Sequence, residues 1–92
     1  MPPAHHSVRL ATRSLKDLRR IGLGPDGARI RAGLEALAAD SEILDIKAVS
    51  GHPGWLRLRV GDWRILYIAG NEGRRVARIV HRRDLEQAIG SL

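Results

Sequence analysis

Cysteine is absent from the 92-residue sequence, which excludes disulfides, thiolate nucleophiles and sulfur-ligated metals together. Stability must therefore come from packing. Apolar runs are short as well, and none approaches the roughly 20 residues of a membrane-spanning helix. The N-terminus has no basic region followed by an apolar run, so we expect a cytoplasmic protein with no secretory signal and no membrane association.

Lysine is scarce too, because 14 of the 16 basic residues are arginine. The formal charge of +6 indicates an anionic partner, either nucleic acid or an acidic protein. Arginine binds phosphate through paired hydrogen bonds, which favours nucleic acid, although a G+C-rich coding sequence produces the same bias. With 43% apolar and 28% charged residues, the composition predicts one domain over residues 1–92, with one layer of helices on one sheet.

The segment Trp55–Tyr67 carries the clearest structural pattern, because its side chains alternate strictly on both sides of Gly61-Asp62. This predicts a β-hairpin with a type II′ turn, for which glycine in the first central position is typical. Counting outward from the turn pairs Val60 with Trp63, Arg59 with Arg64, Leu58 with Ile65, Arg57 with Leu66 and Leu56 with Tyr67. One face is apolar throughout, and we expect it to lie against helices.

The other face of this hairpin combines three arginines with apolar residues: Trp55, Arg57, Arg59, Arg64, Leu66 and Ile68. Arg59 and Arg64 stand directly opposite each other, a position in which like charges destabilise a sheet. A bound polyanion would offset the repulsion. The alternative is that the arginines form the solvated face of a half-exposed sheet, with their stems covering apolar surface.

The first helix is expected over Leu15 to Ile21, after a short strand at Ser7 to Ala11. Thr12 or Ser14 would cap this helix, and Ser14 and Asp17 have the spacing of a capping box. The residues expected to face the core are Leu15, Leu18 and Ile21.

A second helix is predicted to begin near Pro25, with an apolar stripe of Ile30, Leu34, Leu37 and Ala38. Ile46 to Val49 and Arg74 to Arg82 read as strands, and Arg83 to Ile89 as a short terminal helix. In the last strand, burying Ala77 and Ile79 together with His81 would send Arg78 and Arg82 to the face that carries the arginines. That face would then hold five arginines.

The element order, together with the runs Leu-Arg-Val-Gly-Asp-Trp-Arg-Ile-Leu-Tyr and Val-His-Arg-Arg-Asp, resembles the RelE/ParE family of bacterial toxins. The likeness covers almost the whole chain and is most specific over Arg57 to Tyr67 and His81 to Asp84. It implies an α+β fold in which two N-terminal helices pack on a small, mainly antiparallel sheet of four to five strands, with a short C-terminal helix. It also implies an acidic antitoxin as partner, in a toxin–antitoxin hetero-oligomer.

The two branches of this family differ in activity. The RelE branch consists of small basic ribonucleases that cut messenger RNA in the ribosomal A site, and the ParE branch poisons DNA gyrase. Our hypothesis from the sequence is a RelE-type, ribosome-dependent mRNA endonuclease that inhibits translation. The alternatives are a ParE-like gyrase inhibitor and a catalytically degenerate member that only binds its antitoxin.

The resemblance assigns catalytic roles to Arg57, Arg59, Arg64 and Arg82, whose positions match basic residues of RelE-type enzymes. Family members often have a tyrosine shortly after the His-Arg motif, where this chain has Glu86. Candidates for proton transfer are His81 and Glu86. Further RNA contacts are expected from Trp55, Arg78 and Arg83, since Trp55 could stack a base beside Arg57.

His5 and His6 are not expected to bind a metal, because the chain has neither cysteines nor a second histidine pair at suitable spacing. We therefore expect no metal and no cofactor.

Overall fold

A computed structural model describes residues 7–92 of the chain. Its elements are, in order, β1 (Val8–Leu10), α1 (Thr12–Ile21), α2 (Pro25–Ala38), β2 (Asp45–Ala48), β3 (Trp55–Val60), β4 (Trp63–Gly70), β5 (Gly73–His81), a 3-10 turn (Arg82–Asp84) and α3 (Leu85–Ile89). Over this described part, no helix is long and apolar enough to cross a membrane. The α+β class, with two helices before the sheet and a short helix after it, is as predicted.

The five strands lie in the order β1-β5-β4-β3-β2. All neighbours are antiparallel except β1 and β5, which pair in parallel. A parallel pair requires a crossover connection, and the two helices together with the β2–β4 meander provide it. The first strand and the last are thereby brought side by side.

The central hairpin has the predicted register in full, from Val60 opposite Trp63 to Leu56 opposite Tyr67. Gly61 adopts φ +57°, and in the described part Asp40 is the only non-glycine residue with positive φ. A positive φ at the first central position alone is the type II′ arrangement, so the turn is also as predicted.

The main core lies between the two long helices and the apolar face of the hairpin. Its buried members are Leu18, Ile30, Leu37, Leu58, Ile65, Tyr67, Val76 and Ile79. The close approach of α2 to β3 depends on Gly33, where an added Cβ would lie 2.8 Å from Cγ2 of Val60. Tyr67 is 1% exposed, and burial raises the pKa of its phenol above the ordinary value.

The opposite face of the sheet is partly covered by α3. Sequence patterns predicted this helix but not its packing on the sheet. A second apolar cluster forms there from Val49, Leu66, Val80 and Ala88, with Trp55 and the apolar side of α3 packed against it. Leu66 is 0% exposed as a result. Arg57, Arg59 and Arg64 lie at the end of this face nearest the Gly61 turn.

The predicted cap of α1 is wrong. The N-cap residue is Ala11, without a side-chain hydrogen bond, and Ser14 is instead buried with its hydroxyl 2.8 Å from Ala11 O and 2.9 Å from Val76 O. Asp17 accepts a hydrogen bond from the Ile79 backbone N–H at 2.9 Å. Ser14 therefore bonds β5 at the last position paired with β1, and Asp17 bonds it beyond the end of β1. Leu15, expected in the core, is 36% exposed.

Candidate nucleic-acid interface

The arginine cluster is built by the register of β3 and β4. Arg59 lies directly opposite Arg64, and Arg57 lies one pair further from the turn on the same face, opposite Leu66. Arg82 follows β5 as the first residue of the 3-10 turn, where its backbone N–H donates to Asp62 O at 2.7 Å. That bond ties the chain after β5 to the hairpin turn and brings the fourth arginine beside the other three.

Arg64 is the arginine whose pKa is lowered by burial and by repulsion within the cluster. Its pKa lies below the ordinary value, first because burial removes water from the guanidinium and then because Arg57, Arg59 and Arg82 repel its charge. Four cations therefore act on one another at the turn end of the sheet. An anion bound there would gain from all four.

Arg64 is also the best anchored of the four. Its Nη1 donates to Gly61 O at 2.8 Å and to Trp63 O at 3.0 Å, so the guanidinium is held over the turn. Within the described residues Nε and Nη2 make no hydrogen bond, which leaves a two-donor edge for a phosphate. The side chain of Arg57 has no hydrogen bond or ion pair to any residue in 7–92.

Two aspartates flank the cluster, and the sequence patterns had assigned neither of them to the site. Asp45 lies 3.9 Å from Arg59, opposite it across β2 and β3, and Asp62 lies 3.7 Å from Arg82. All four side chains are about half exposed or more, so these pairs contribute little to stability. They offset part of the repulsion. The position of Asp45 beside Arg59 could have been predicted only from the pairing of β2 with β3.

Arg78 is the clearest correction to the predicted face. It is paired with Leu66 of the arginine face, but its guanidinium does not join the cluster. Nε and Nη2 donate to the carboxylate of Asp17 at 2.8 and 3.2 Å, and its side chain is 18% exposed. A bulge in β5 that leaves Ala77 unpaired accompanies this arrangement. The buried ion pair leaves four, not five, arginines at the interface.

The candidate proton-transfer residues lie apart from the cluster. His81 is paired with Trp63, and the two rings meet edge to face with centroids 5.4 Å apart on the face that the long helices cover. Its Nδ1 accepts a hydrogen bond from the Arg83 N–H at 3.3 Å. Glu86 is exposed in the first turn of α3, and within residues 7–92 it makes no hydrogen bond or ion pair with an arginine of the cluster.

Trp55 is half-buried against the second apolar cluster, so its indole packs rather than projects. Arg83 is well exposed, with Asp84 at 3.9 Å as its nearest acid. Residues 7–92 contain no group of three or more histidine or acidic side chains that could hold a metal ion. His5 and His6 lie outside the described residues.

Comparison with known proteins places these features in a family. Residues 8–86 match the model of the ParE toxin of the type II toxin–antitoxin system parDE. Comparison with curated protein sequences gives no match.

Solved structures of the same fold come from archaea and bacteria. A chain of the RelB–RelE antitoxin–toxin complex of Methanococcus jannaschii superposes with a TM-score of 0.71 at 24% identity, over 87% of this chain and 96% of that one. The DinJ–YafQ toxin–antitoxin complex of E. coli gives 0.69 at 14% identity, covering 88% and 97%. The toxin–antitoxin complex RelBE2 of Mycobacterium tuberculosis gives 0.58 at 25% identity, covering 85% and 99%.

A five-stranded sheet with this helix order is thus the fold of type II toxin–antitoxin toxins. The chain belongs to the ParE toxin family, within the RelE/ParE superfamily.

Proposed function

We propose that this toxin is a ribosome-dependent endonuclease that cleaves messenger RNA and inhibits translation until an acidic antitoxin covers it. The observation that carries the proposal is the cluster of Arg57, Arg59, Arg64 and Arg82, in which Arg59 stands directly opposite Arg64 and burial, together with repulsion by the other three, lowers the pKa of Arg64. A sheet gains nothing from opposing two arginines without an anionic ligand. The resemblance of the hairpin to that of RelE-type enzymes supports RNA as this ligand.

Cleavage of RNA by its own 2′-hydroxyl requires three things from the site. The hydroxyl must lose its proton, the charge on the phosphorane-like transition state must be stabilised, and the departing 5′-oxygen must be protonated. The cluster serves the second requirement. The hydrogen bonds from Arg64 to Gly61 O and Trp63 O fix its guanidinium, so that Nε and Nη2 are already positioned to donate to the phosphate.

Proton transfer has no dedicated side chain beside the cluster, because His81 lies across the sheet and Glu86 has no contact with the arginines. We assign most of the catalytic effect to orientation on the ribosome and to charge stabilisation by the arginines, and assign no proton transfer to Glu86. Cleavage should be slow, since a positioned acid or base contributes roughly 10²- to 10⁴-fold.

Cleavage of mRNA on programmed ribosomes tests the proposal. Arg57→Ala and Arg64→Ala should each lower the single-turnover rate by roughly 10²- to 10³-fold, the usual cost of one charge-stabilising donor. Arg29→Ala, on an exposed position of α2 far along the chain from the cluster, is the matched control and should cleave like the parent. Equal rates for all three variants would contradict an arginine-based mechanism.

Glu86 is tested in the same assay. Glu86→Tyr should preserve or raise the cleavage rate, because a carboxylate repels the phosphate and cannot stack. Loss of cleavage in Glu86→Ala would instead make Glu86 the general base.

A second candidate function is gyrase inhibition of the ParE type, which needs no catalysis. Among residues 7–92, neither proton-transfer candidate makes a hydrogen bond or ion pair with the cluster, which favours this function, as does the description of the family that the chain matches. If the parent protein inhibits DNA supercoiling by gyrase and leaves mRNA intact on programmed ribosomes, this function replaces the nuclease.

The acidic antitoxin is proposed from the same charge pattern. A segment that folds along the toxin would neutralise the cluster, so binding should weaken steeply with salt. If a cognate antitoxin binds equally well after Arg57, Arg59 and Arg64 are replaced together by glutamine, inhibition does not act by covering this face.

A further inference from the structure

A groove of about 490 Å³ separates α1 from α3 beside the part of β5 that β1 does not cover. Arg13 and Arg20 of α1 line one wall, Arg83 lines the other, and the rings of Trp63 and His81 line it between them. The groove reaches both faces of the sheet at this edge, because Val80, which is paired with Arg64, lines it together with Trp63 and His81 of the other face. The function proposed above makes no use of it.

The α1 wall of the groove is more basic than its sequence indicates. Arg13, Asp17 and Arg20 follow one another at helical spacing along one side of α1. The carboxylate of Asp17 is already engaged by the Arg78 guanidinium and the Ile79 N–H. It therefore does not neutralise its neighbours, and in residues 7–92 neither Arg13 nor Arg20 has a hydrogen bond or ion pair.

The opposite wall and the rings add a donor and two stacking surfaces. The Arg83 side chain is 77% exposed, and it forms an ion pair at 3.9 Å with Asp84, which also lines the groove. Because Nδ1 of His81 accepts from the Arg83 N–H, the neutral imidazole carries its proton on Nε2, which is then a donor for a ligand. Trp63 is only partly buried and offers an aromatic surface beside these cations.

We propose that this groove is a second RNA subsite, which binds a phosphate of single-stranded RNA between Arg13, Arg20 and Arg83 and an adjoining base against Trp63 or His81. The inference rests on the proposed function, because it extends the same RNA from the cluster around the hairpin end. Arg82 and Arg83 are consecutive and connect the two surfaces, since Arg82 acts on Arg64 and Arg83 lines the groove. Cations combined with stacking rings are typical of sites for unpaired nucleotides.

The test is binding of a fluorescein-labelled single-stranded RNA of about ten nucleotides to the purified protein, measured by anisotropy from about 50 to 300 mM KCl. The variant is Arg13→Gln with Arg20→Gln. The matched control is Arg19→Gln with Arg29→Gln, which removes the same charge from exposed helix positions outside the groove. Unchanged circular dichroism melting is expected for both, because none of these side chains makes a hydrogen bond or ion pair among residues 7–92.

Each phosphate contact contributes a slope of about −0.7 to log K against log [salt] for single strands. The groove variant should therefore lose about 1.4 from the magnitude of the slope and bind at least about tenfold more weakly at the lowest salt, and the control should change far less. Arg83→Gln, on the other wall, should lose about half as much slope. Equal behaviour of groove variant and control would overturn the proposal.

Fluorescence gives an independent readout of the stacked base. In a Trp55→Phe background Trp63 is the only tryptophan, so RNA should quench its emission, and the quenching should disappear with Arg13→Gln and Arg20→Gln. If the groove variant keeps RNA binding and loses affinity for an acidic antitoxin, a protein occupies the groove and the subsite is refuted. If the groove variant shows the reduced salt slope of RNA binding and the parent protein does not cleave mRNA, the subsite is kept and only the nuclease is refuted.

Discussion

The buried pair of Asp17 and Arg78 should dominate the stability of the β5 edge. Asp17→Ala removes the acceptor of two hydrogen bonds from Arg78, at 2.8 and 3.2 Å, and of one from the Ile79 N–H, at 2.9 Å. The side chain of Asp17 is 8% exposed and that of Arg78 18%, so water replaces these partners poorly. The variant leaves a cation and a backbone donor buried without a partner.

Breaking a buried pair by removing one member costs about 3 to 5 kcal/mol. Partial exposure of Arg78 places the expected loss near the lower end, at about 3 kcal/mol. Since 1 kcal/mol shifts the melting temperature of a domain of this size by about 4 to 8 °C, Tm should fall by about 12 to 24 °C. Arg78→Ala should cost less, because Asp17 keeps the Ile79 N–H.

Urea denaturation of the parent, both single variants and the double variant measures this directly. The double variant should cost at least about 1 kcal/mol less than the sum of the singles, because the pair is coupled. Asp26→Ala, an exposed acid in the first turn of α2, is the control and should cost about 0.5 kcal/mol. A loss below about 1 kcal/mol for Asp17→Ala would refute the reasoning, since α1 would then be held by apolar packing alone.

Three further predictions concern other parts of the fold. Gly27→Ala should destabilise the protein, although alanine favours helices, because the added Cβ would collide with the carbonyl of Gly22. Gly24→Ala should be tolerated, because its Cβ meets nothing within 4 Å, and chemical denaturation compares the two variants. The raised pKa of Tyr67 means that, as pH rises, the phenol ionises in the unfolded protein before it ionises in the folded one, so stability present below about pH 10 should decline above it. An ultraviolet titration of this single tyrosine in the folded protein should show no ionisation near its ordinary pKa. Arg59→Gln should raise Tm at low salt and change it less at high salt, because it relieves repulsion within the cluster; a lowered Tm would make Arg59 structural.

Salt, rather than pH, is the variable that should reveal the repulsion at Arg64. A depressed pKa of a base favours the neutral form in the folded state, so stability increases only as pH approaches the folded pKa. That window lies in strongly alkaline solution, because the arginine side chain loses its proton and its charge only there. Across the physiological range the repulsion is constant, and screening is what removes it.

Local signals in the sequence determined the hairpin and most of the candidate site. Alternation with a period of two and a glycine at the turn leave one register that buries the apolar face, and this register alone places Arg59 opposite Arg64. The start of α2 at Pro25 and the end of α1 at Gly22 were predictable for the same reason, since proline and glycine act on the backbone within one turn. None of this required knowledge of a distant residue.

Only the tertiary structure decided the residues whose partners are far away in the chain. Asp17 has the spacing of a capping residue, but β1 ends at Leu10, so the Ile79 N–H on the uncovered edge of β5 takes Asp17 as its acceptor, about 60 positions away. Ser14 likewise bonds Val76 O, at the last position of β5 that β1 covers. The bulge at Ala77 and the diversion of Arg78 to α1 follow from that edge. Intrinsic preferences for a cap amount to about 1 kcal/mol, and a buried, unsatisfied strand edge costs more, so long-range hydrogen bonding outweighed the local pattern.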